Sequence, residues 1–175
     1  MCIFEFHMKK LLYLFTFFIS CSLLISCGIY SFTGGDTGKA ETIQIDFFRN
    51  NAPLIEPSLS QQFTQELRDL FARQTNLTPA TTDGDLHFEG EITGYRIAPM
   101  SATAQQTAAQ NRLTITVNVR YFNKFKEKDN FERAFNFYYD YDATTQLVGS
   151  ALETAFSEII ERITQDIFTA SVANW

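Results

Sequence analysis

The chain has 175 residues, a formal net charge of −6 and a sequence pI near 4.9. That acidic balance makes it a poor general binder of nucleic acid and confines any anion site to a local basic patch. With three cysteines and two histidines in all, it offers no Cys/His set of metal-ligand spacing, no Ser-His-Asp motif and no Gly-rich phosphate loop, so neither a metal nor another cofactor is expected.

Lys9 and Lys10 precede residues 11–24, an apolar run short for a stable membrane span, and Ser26-Cys27 follows it. Basic head, apolar middle and small-residue cut site make a secretory signal. Its ending, Leu24-Ile25-Ser26-Cys27, resembles a bacterial lipobox, in which the cysteine is diacylated and becomes the first residue of the mature protein. An ordinary signal with an incidental cysteine, or an uncleaved anchor helix, is the alternative. Met8 is a better start than Met1, because residues 1–7 put apolar and acidic side chains ahead of the lysines. Residues 1–26 are thus expected to be a cleaved lipoprotein signal peptide and residues 27–41 an acylated N-terminus and Gly/Ser/Thr-rich tether. Residues 42–175 form a single domain. Cys2 and Cys21 leave with the signal and Cys27 carries the lipid, so no thiol remains for a disulfide or a nucleophile. The domain must hold together by packing alone.

Within the domain, residues 42–48 alternate, with Ile43, Ile45 and Phe47 on one face, as in a half-buried strand. Residues 59–74 carry Leu59, Phe63, Leu67, Leu70 and Phe71 at helical spacing, with Ser58 or Ser60 available as a cap and Pro79 beyond the end. Residues 85–97 alternate again: Leu86, Phe88 and Ile92 share a face with Gly90 and Gly94, opposite His87, Glu89, Glu91, Thr93 and Tyr95. The glycines point to a close approach or a bulge. Small polar residues 99–111 read as a long hairpin loop of the kind a partner orders. Residues 112–123 place Leu113, Ile115, Val117, Val119 and Tyr121 inward; a charged turn follows at 124–130, and residues 131–141 are the returning strand. Residues 145–172 form a long amphipathic helix, capped by Thr144 or Thr145. Its ten-position apolar stripe makes it core, and its polar face lacks the basic residues of a membrane-surface helix.

The order strand, helix, strand, strand, strand, helix gives an α+β fold: a two-layer sandwich with two helices packed on one face of a four-stranded mixed sheet. The strand-helix-strand crossover supplies its parallel pair.

Candidate sites are sparse. His87 with Glu89 and Glu91 can be drawn as a metal or acid/base cluster, but a solvent-facing polar row is the plainer reading. A carboxylate-only enzyme built on Glu89 and Glu91 lacks any feature to split their pKa values, so no catalytic residue is assigned. The aromatic strand with exposed Tyr138 would suit a small ligand or glycan, the alternative to the function given below. Arg112, Arg120, Lys124, Lys126 and Lys128 are the one cation cluster, where phosphate and acidic sugars would be met, although a solvated hairpin tip is the plainer reading. Trp175 is either the last core contact of its helix or an anchor on a partner.

Cys27-Gly28-Ile29-Tyr30-Ser31-Phe32-Thr33-Gly34, Phe48-Arg49-Asn50-Asn51-Ala52, Arg112-Leu113-Thr114-Ile115 and the ending from Asp166 to Trp175 are, in this order, similar to the LptE family of lipopolysaccharide-assembly outer-membrane lipoproteins, in a diverged branch. The resemblance implies two helices against a four-stranded sheet and no enzymatic reaction. It implies a partner, the LptD outer-membrane β-barrel, whose lumen the lipoprotein plugs and whose assembly it assists. It also implies a part in delivering lipopolysaccharide to the outer leaflet. Cys27 would be the lipid anchor. With no early acidic run after Cys27, the expected location is the periplasmic side of the outer membrane.

Overall fold

In the computed structural model, the structure describes residues 35–54, 56–100 and 109–173, all within the compact unit Thr33–Trp175. The signal peptide, Cys27, most of the loop after residue 100, and Trp175 lie outside the described residues.

The strands are β1 (Thr42–Ile45), β2 (Arg49–Asn50), β3 (Thr78–Pro79), β4 (Leu86–Met100), β5 (Gln110–Asn123) and β6 (Phe131–Asp142); the helices are α1 (Pro57–Gln74) and α2 (Ser150–Val172). They form one mixed sheet in the order β3-β1-β4-β5-β6, with β2 also paired to β4. β1 and β2 run parallel to β4, as the crossover through α1 requires, and β4, β5 and β6 form an antiparallel meander. Both helices lie against the same face. The sheet has six strands rather than four, because the first strand is broken in two and Thr78–Pro79 adds a parallel rung outside it.

The break is a one-residue excess. Ile45 pairs with Phe88 and Arg49 with Glu91, so one strand takes four steps where its neighbour takes three. The insertion reverses the alternation. Phe48 is fully buried and Phe47 is 54% exposed, the opposite of the unbroken pattern. Helix α1 satisfies the backbone that the break frees. The Thr64 hydroxyl accepts the Phe48 N–H at 3.1 Å, and the Arg68 guanidinium donates to the Ile45 carbonyl at 2.6 and 3.2 Å. Gly90 makes room for the Phe48 ring: a β-carbon there would meet the Asn118 carbonyl and lie 2.7 Å from Phe48 Cε1.

A second bulge, between Ile92 and Gly94, shifts the rest of β4 by one. Tyr95 therefore leaves the row of His87 and Glu91 and packs edge-on against Phe156 of α2, ring centroids 6.2 Å apart. The hairpin runs further than its polar sequence suggests, with Pro99 paired to Asn111 and Met100 to Gln110.

The core lies between the helices and the inner face of the sheet. Leu113, Ile115, Val117, Val119 and Tyr121 of β5 are buried to within 1%. Phe71 is its hinge, 4.9 Å from Phe88 on the sheet and 5.1 Å from Phe168 on α2, centroid to centroid. Burial pushes the Tyr121 phenol up to about 12; its hydroxyl accepts the Asn123 amide at 3.3 Å.

Helix starts differ from the sequence reading. Pro57 at the first turn, not a serine cap, opens α1. Gly149, with φ of 55°, sets the start of α2 at Ser150, while the Thr144 N–H and hydroxyl both bond Asp142 in the preceding turn. Among the described residues, no helix is long and apolar enough to cross a membrane.

Candidate functional site

Two helices on one face leave the other face of the sheet open. Alternation along β4, β5 and β6 sends His87, Glu89, Glu91, Arg112, Asn118, Arg120, Glu132, Tyr138 and Asp140 to that side. Register then decides who meets whom. Glu89, Arg120 and Glu132 are direct neighbours across three strands. The Arg120 guanidinium donates to Glu89 at 2.6 Å and to Glu91 at 3.3 Å, with Glu132 at 3.9 Å. These hydrogen bonds raise the Arg120 pKa further above its already basic range. Asn118 adds bonds to Glu132 at 3.0 Å and Glu91 at 3.4 Å.

Eight residues along β5, Arg112 makes a two-pronged pair with Asp140, at 2.6 and 2.7 Å, and lies 3.5 Å above the Tyr138 ring. The hydrogen bond from Arg112 holds the Asp140 carboxyl below the usual range against a smaller opposing effect of burial. Tyr138 is the exposed aromatic foreseen from sequence, but its ring is roofed by Arg112.

The five predicted cations are therefore not one cluster. Arg112 and Arg120 stand roughly 27 Å apart along the strand at ~3.4 Å per residue. Lys124 binds the Asp83 carboxylate at 2.8 Å and its carbonyl at 2.6 Å. Lys126 has Asp36 at 3.9 Å. Lys128, in the 3₁₀ turn Glu127–Asp129, has no carboxylate in ion-pair reach among the described residues. The structure brings each of the other four to an acid instead of to one another.

At the β1 side of the open face, parallel pairing sets Gln44 beside His87. His87 Nε2 lies 3.0 Å from Asp46 Oδ2 and 3.2 Å from Gln44 Nε2, and Gln44 donates to Asp46 Oδ1 at 2.9 Å. Burial pushes the Asp46 carboxyl up, but the bonds from Gln44 and His87, with the His87 and Arg68 charges, outweigh it and the net shift is downward. The ring of His87 packs against Phe122, centroids 5.8 Å apart. Sequence reading placed His87 with Glu89 and Glu91; it missed Asp46, which only the parallel register brings in.

Between α1 and α2, on the far side of the molecule, is an open polar cleft of about 730 Å³, with Gln61, Gln65, Asp69, Arg73 and Glu161 on its walls. A more apolar pocket of about 530 Å³ sits where β3 ends short of β1, bordered by Ile43, Ile45, Phe47, Arg68 and Leu77.

The LptE lipopolysaccharide-assembly family model matches residues 40–171, which run from the entry to β1 to the last turn of α2. The chain belongs to the LptE family. No curated protein matches. Among solved structures, the chain is similar to protein XCC0632 from Xanthomonas campestris, at TM-score 0.51 and 10% identity, over 79% of this chain and 87% of that one. It is also similar to the hypothetical protein CT253 from Chlamydia trachomatis, at TM-score 0.50 and 9% identity, over 77% and 99%. A looser likeness, TM-score 0.45 at 12% identity, is to a minor lipoprotein from Acinetobacter baumannii, over 77% and 94%. At these identities the first two likenesses concern the fold alone. The LptE family is generally non-catalytic.

Proposed function

We propose that this LptE-family chain is a non-catalytic lipoprotein of the outer membrane, held on the periplasmic side by an acylated Cys27, that assists assembly of an LptD β-barrel and delivery of lipopolysaccharide to the outer leaflet. The observation that carries the reading is the family match over residues 40–171. The open face supports it. A plug inside a barrel has its surface enclosed by a polar lumen, and there an unpaired ion would lose solvent without gaining a partner. This face meets that constraint, because Arg112 and Arg120 are both matched to carboxylates of the same sheet. Within this role, Lys128 is the cation most available to phosphate, followed by Lys126, whose acid lies only at 3.9 Å, since Arg112, Arg120 and Lys124 are held more closely. Trp175 is assigned to the partner interface.

The test is purification of the acylated protein from membranes. An outer-membrane β-barrel protein should co-purify, depletion should lower lipopolysaccharide at the cell surface, and Cys27→Ser should abolish acylation and outer-membrane placement. Recovery of soluble partners alone, together with normal surface lipopolysaccharide on depletion, would refute the proposal.

A further inference from the structure

Two groups converge on one nitrogen of the His87 ring. One ring nitrogen, Nε2, faces a carboxylate oxygen at 3.0 Å and an amide nitrogen at 3.2 Å. Protonated, Nε2 donates to Asp46 while Gln44 keeps its bond to Asp46 Oδ1; unprotonated, it accepts from Gln44 and sets its lone pair against Asp46. A cation lying between Nε2 and Oδ2 satisfies both lone pairs. The Gln44 amide already has another acceptor, Asp46 Oδ1, so it can leave Nε2 without being orphaned.

A third donor is in reach. Asp46, His87 and Glu89 each offer a ligand atom within 4.8 Å of the others, and all three are half-buried. Arg120 holds only one Glu89 oxygen, Oε1, at 2.6 Å. The second oxygen is left to turn toward His87, and the guanidinium orients the carboxylate in the way outer partners orient metal ligands. The Phe122 ring fixes the imidazole plane from one side. Bonds of about 2.0–2.2 Å in tetrahedral geometry put ligand atoms about 3.3–3.6 Å apart, so a pair at the 4.8 Å limit must close by about 1.2–1.5 Å.

We propose that Asp46, His87 and Glu89 form a Zn²⁺ site on the open face of the sheet, with a solvent molecule completing the tetrahedron. One imidazole and two carboxylates suit Zn²⁺ better than the hard cations Mg²⁺ or Ca²⁺, which take oxygen ligands throughout. The ion bridges β4 to Asp46, the first residue of the break between β1 and β2, so its physical effect is to clamp that break. This reading is independent of the proposed role in lipopolysaccharide delivery.

The test is calorimetric titration of Zn²⁺ into tag-free, chelator-stripped mature protein, with Co²⁺ absorption as a second readout. Expected are one equivalent bound with a dissociation constant below about 100 μM, in the affinity range of a few protein ligands, and visible Co²⁺ bands typical of low coordination. His87→Ala and Asp46→Asn should each weaken binding by at least about tenfold. Glu91→Gln, which removes a carboxylate of the same row outside the site, should leave it within about twofold. Metal-free thermal melts establish that each variant is folded, and His87→Gln replaces His87→Ala should the latter unfold. Absence of saturable binding, or binding that survives loss of His87, or an equal loss in Glu91→Gln, overturns the site.

Discussion

The two faces of this sheet are cut from the same strands and hold the molecule together by different means. On β5, the inward residues Leu113 to Tyr121 are sealed under two helices, while the alternating outward residues Arg112 to Arg120 are half-exposed and bonded across strands. Burial of one such apolar side chain stabilises by about 1.5–3 kcal/mol, whereas an exposed ion pair is worth about 0–1 kcal/mol. The inner face therefore supplies stability. The outer face supplies a surface whose charges are already matched, at little energetic gain. The comparison is broken most sharply at Phe71, which joins both helices to the sheet. Phe71→Ala should cost about 3–5 kcal/mol, measured as the fall in unfolding free energy in urea, and no single substitution on the open face should approach it.

An intermediate effect is expected at the seam between the faces, where the edge strand breaks. The Phe48 N–H is buried and its acceptor is the Thr64 hydroxyl, itself 2% exposed. Thr64→Val keeps the shape and removes the acceptor, leaving a buried donor unsatisfied at a cost of about 1–3 kcal/mol. Faster hydrogen exchange at the amide of residue 48 would localise the loss to the seam. A cost below a few tenths of a kcal/mol, with unchanged exchange, would mean that the helix does not hold the break.

The sequence carries the two faces unequally. β5 and both helices are legible because their apolar residues keep a strict period of 2 or 3.6 over many positions, and a long pattern tolerates no alternative register. The break after Ile45 is not legible, because Phe47 and Phe48 are adjacent and equally apolar, so either can be the buried one. What selects Phe48 is the space above Gly90 and the bond to Thr64, both distant in sequence. The bulge at Thr93 hides Tyr95 in the same way. On the open face, residue types are legible and partners are not. That Arg120 meets Glu89 rather than another acid depends on a hairpin register between residues 31 apart in the chain. That Asp46 meets His87 depends on a parallel pairing made across a whole helix. Only the cation partners explain why five basic residues that look like a patch are dispersed and mostly matched.

The smallest effect belongs to the open face, and pH isolates it. The Asp140 carboxyl is held below its ordinary value of 3.8, first by the hydrogen bond from Arg112 and in spite of burial. A folded-state pKa below the unfolded one means that the contribution is complete above the unfolded value and disappears as pH falls through the folded value. Both oxygens of this carboxylate are engaged, but its side chain is 30% exposed, so the pair is worth at most about 1 kcal/mol. Asp140→Asn should therefore be slightly less stable than the unmodified protein at pH 7, and the difference should close as the pH is lowered past 3.8. Urea midpoints for the two proteins across that interval measure it. A gap that persists in strong acid would place the contribution in packing of Tyr138 against Arg112 rather than in charge, and the open face would then hold by contact as well as by pairing.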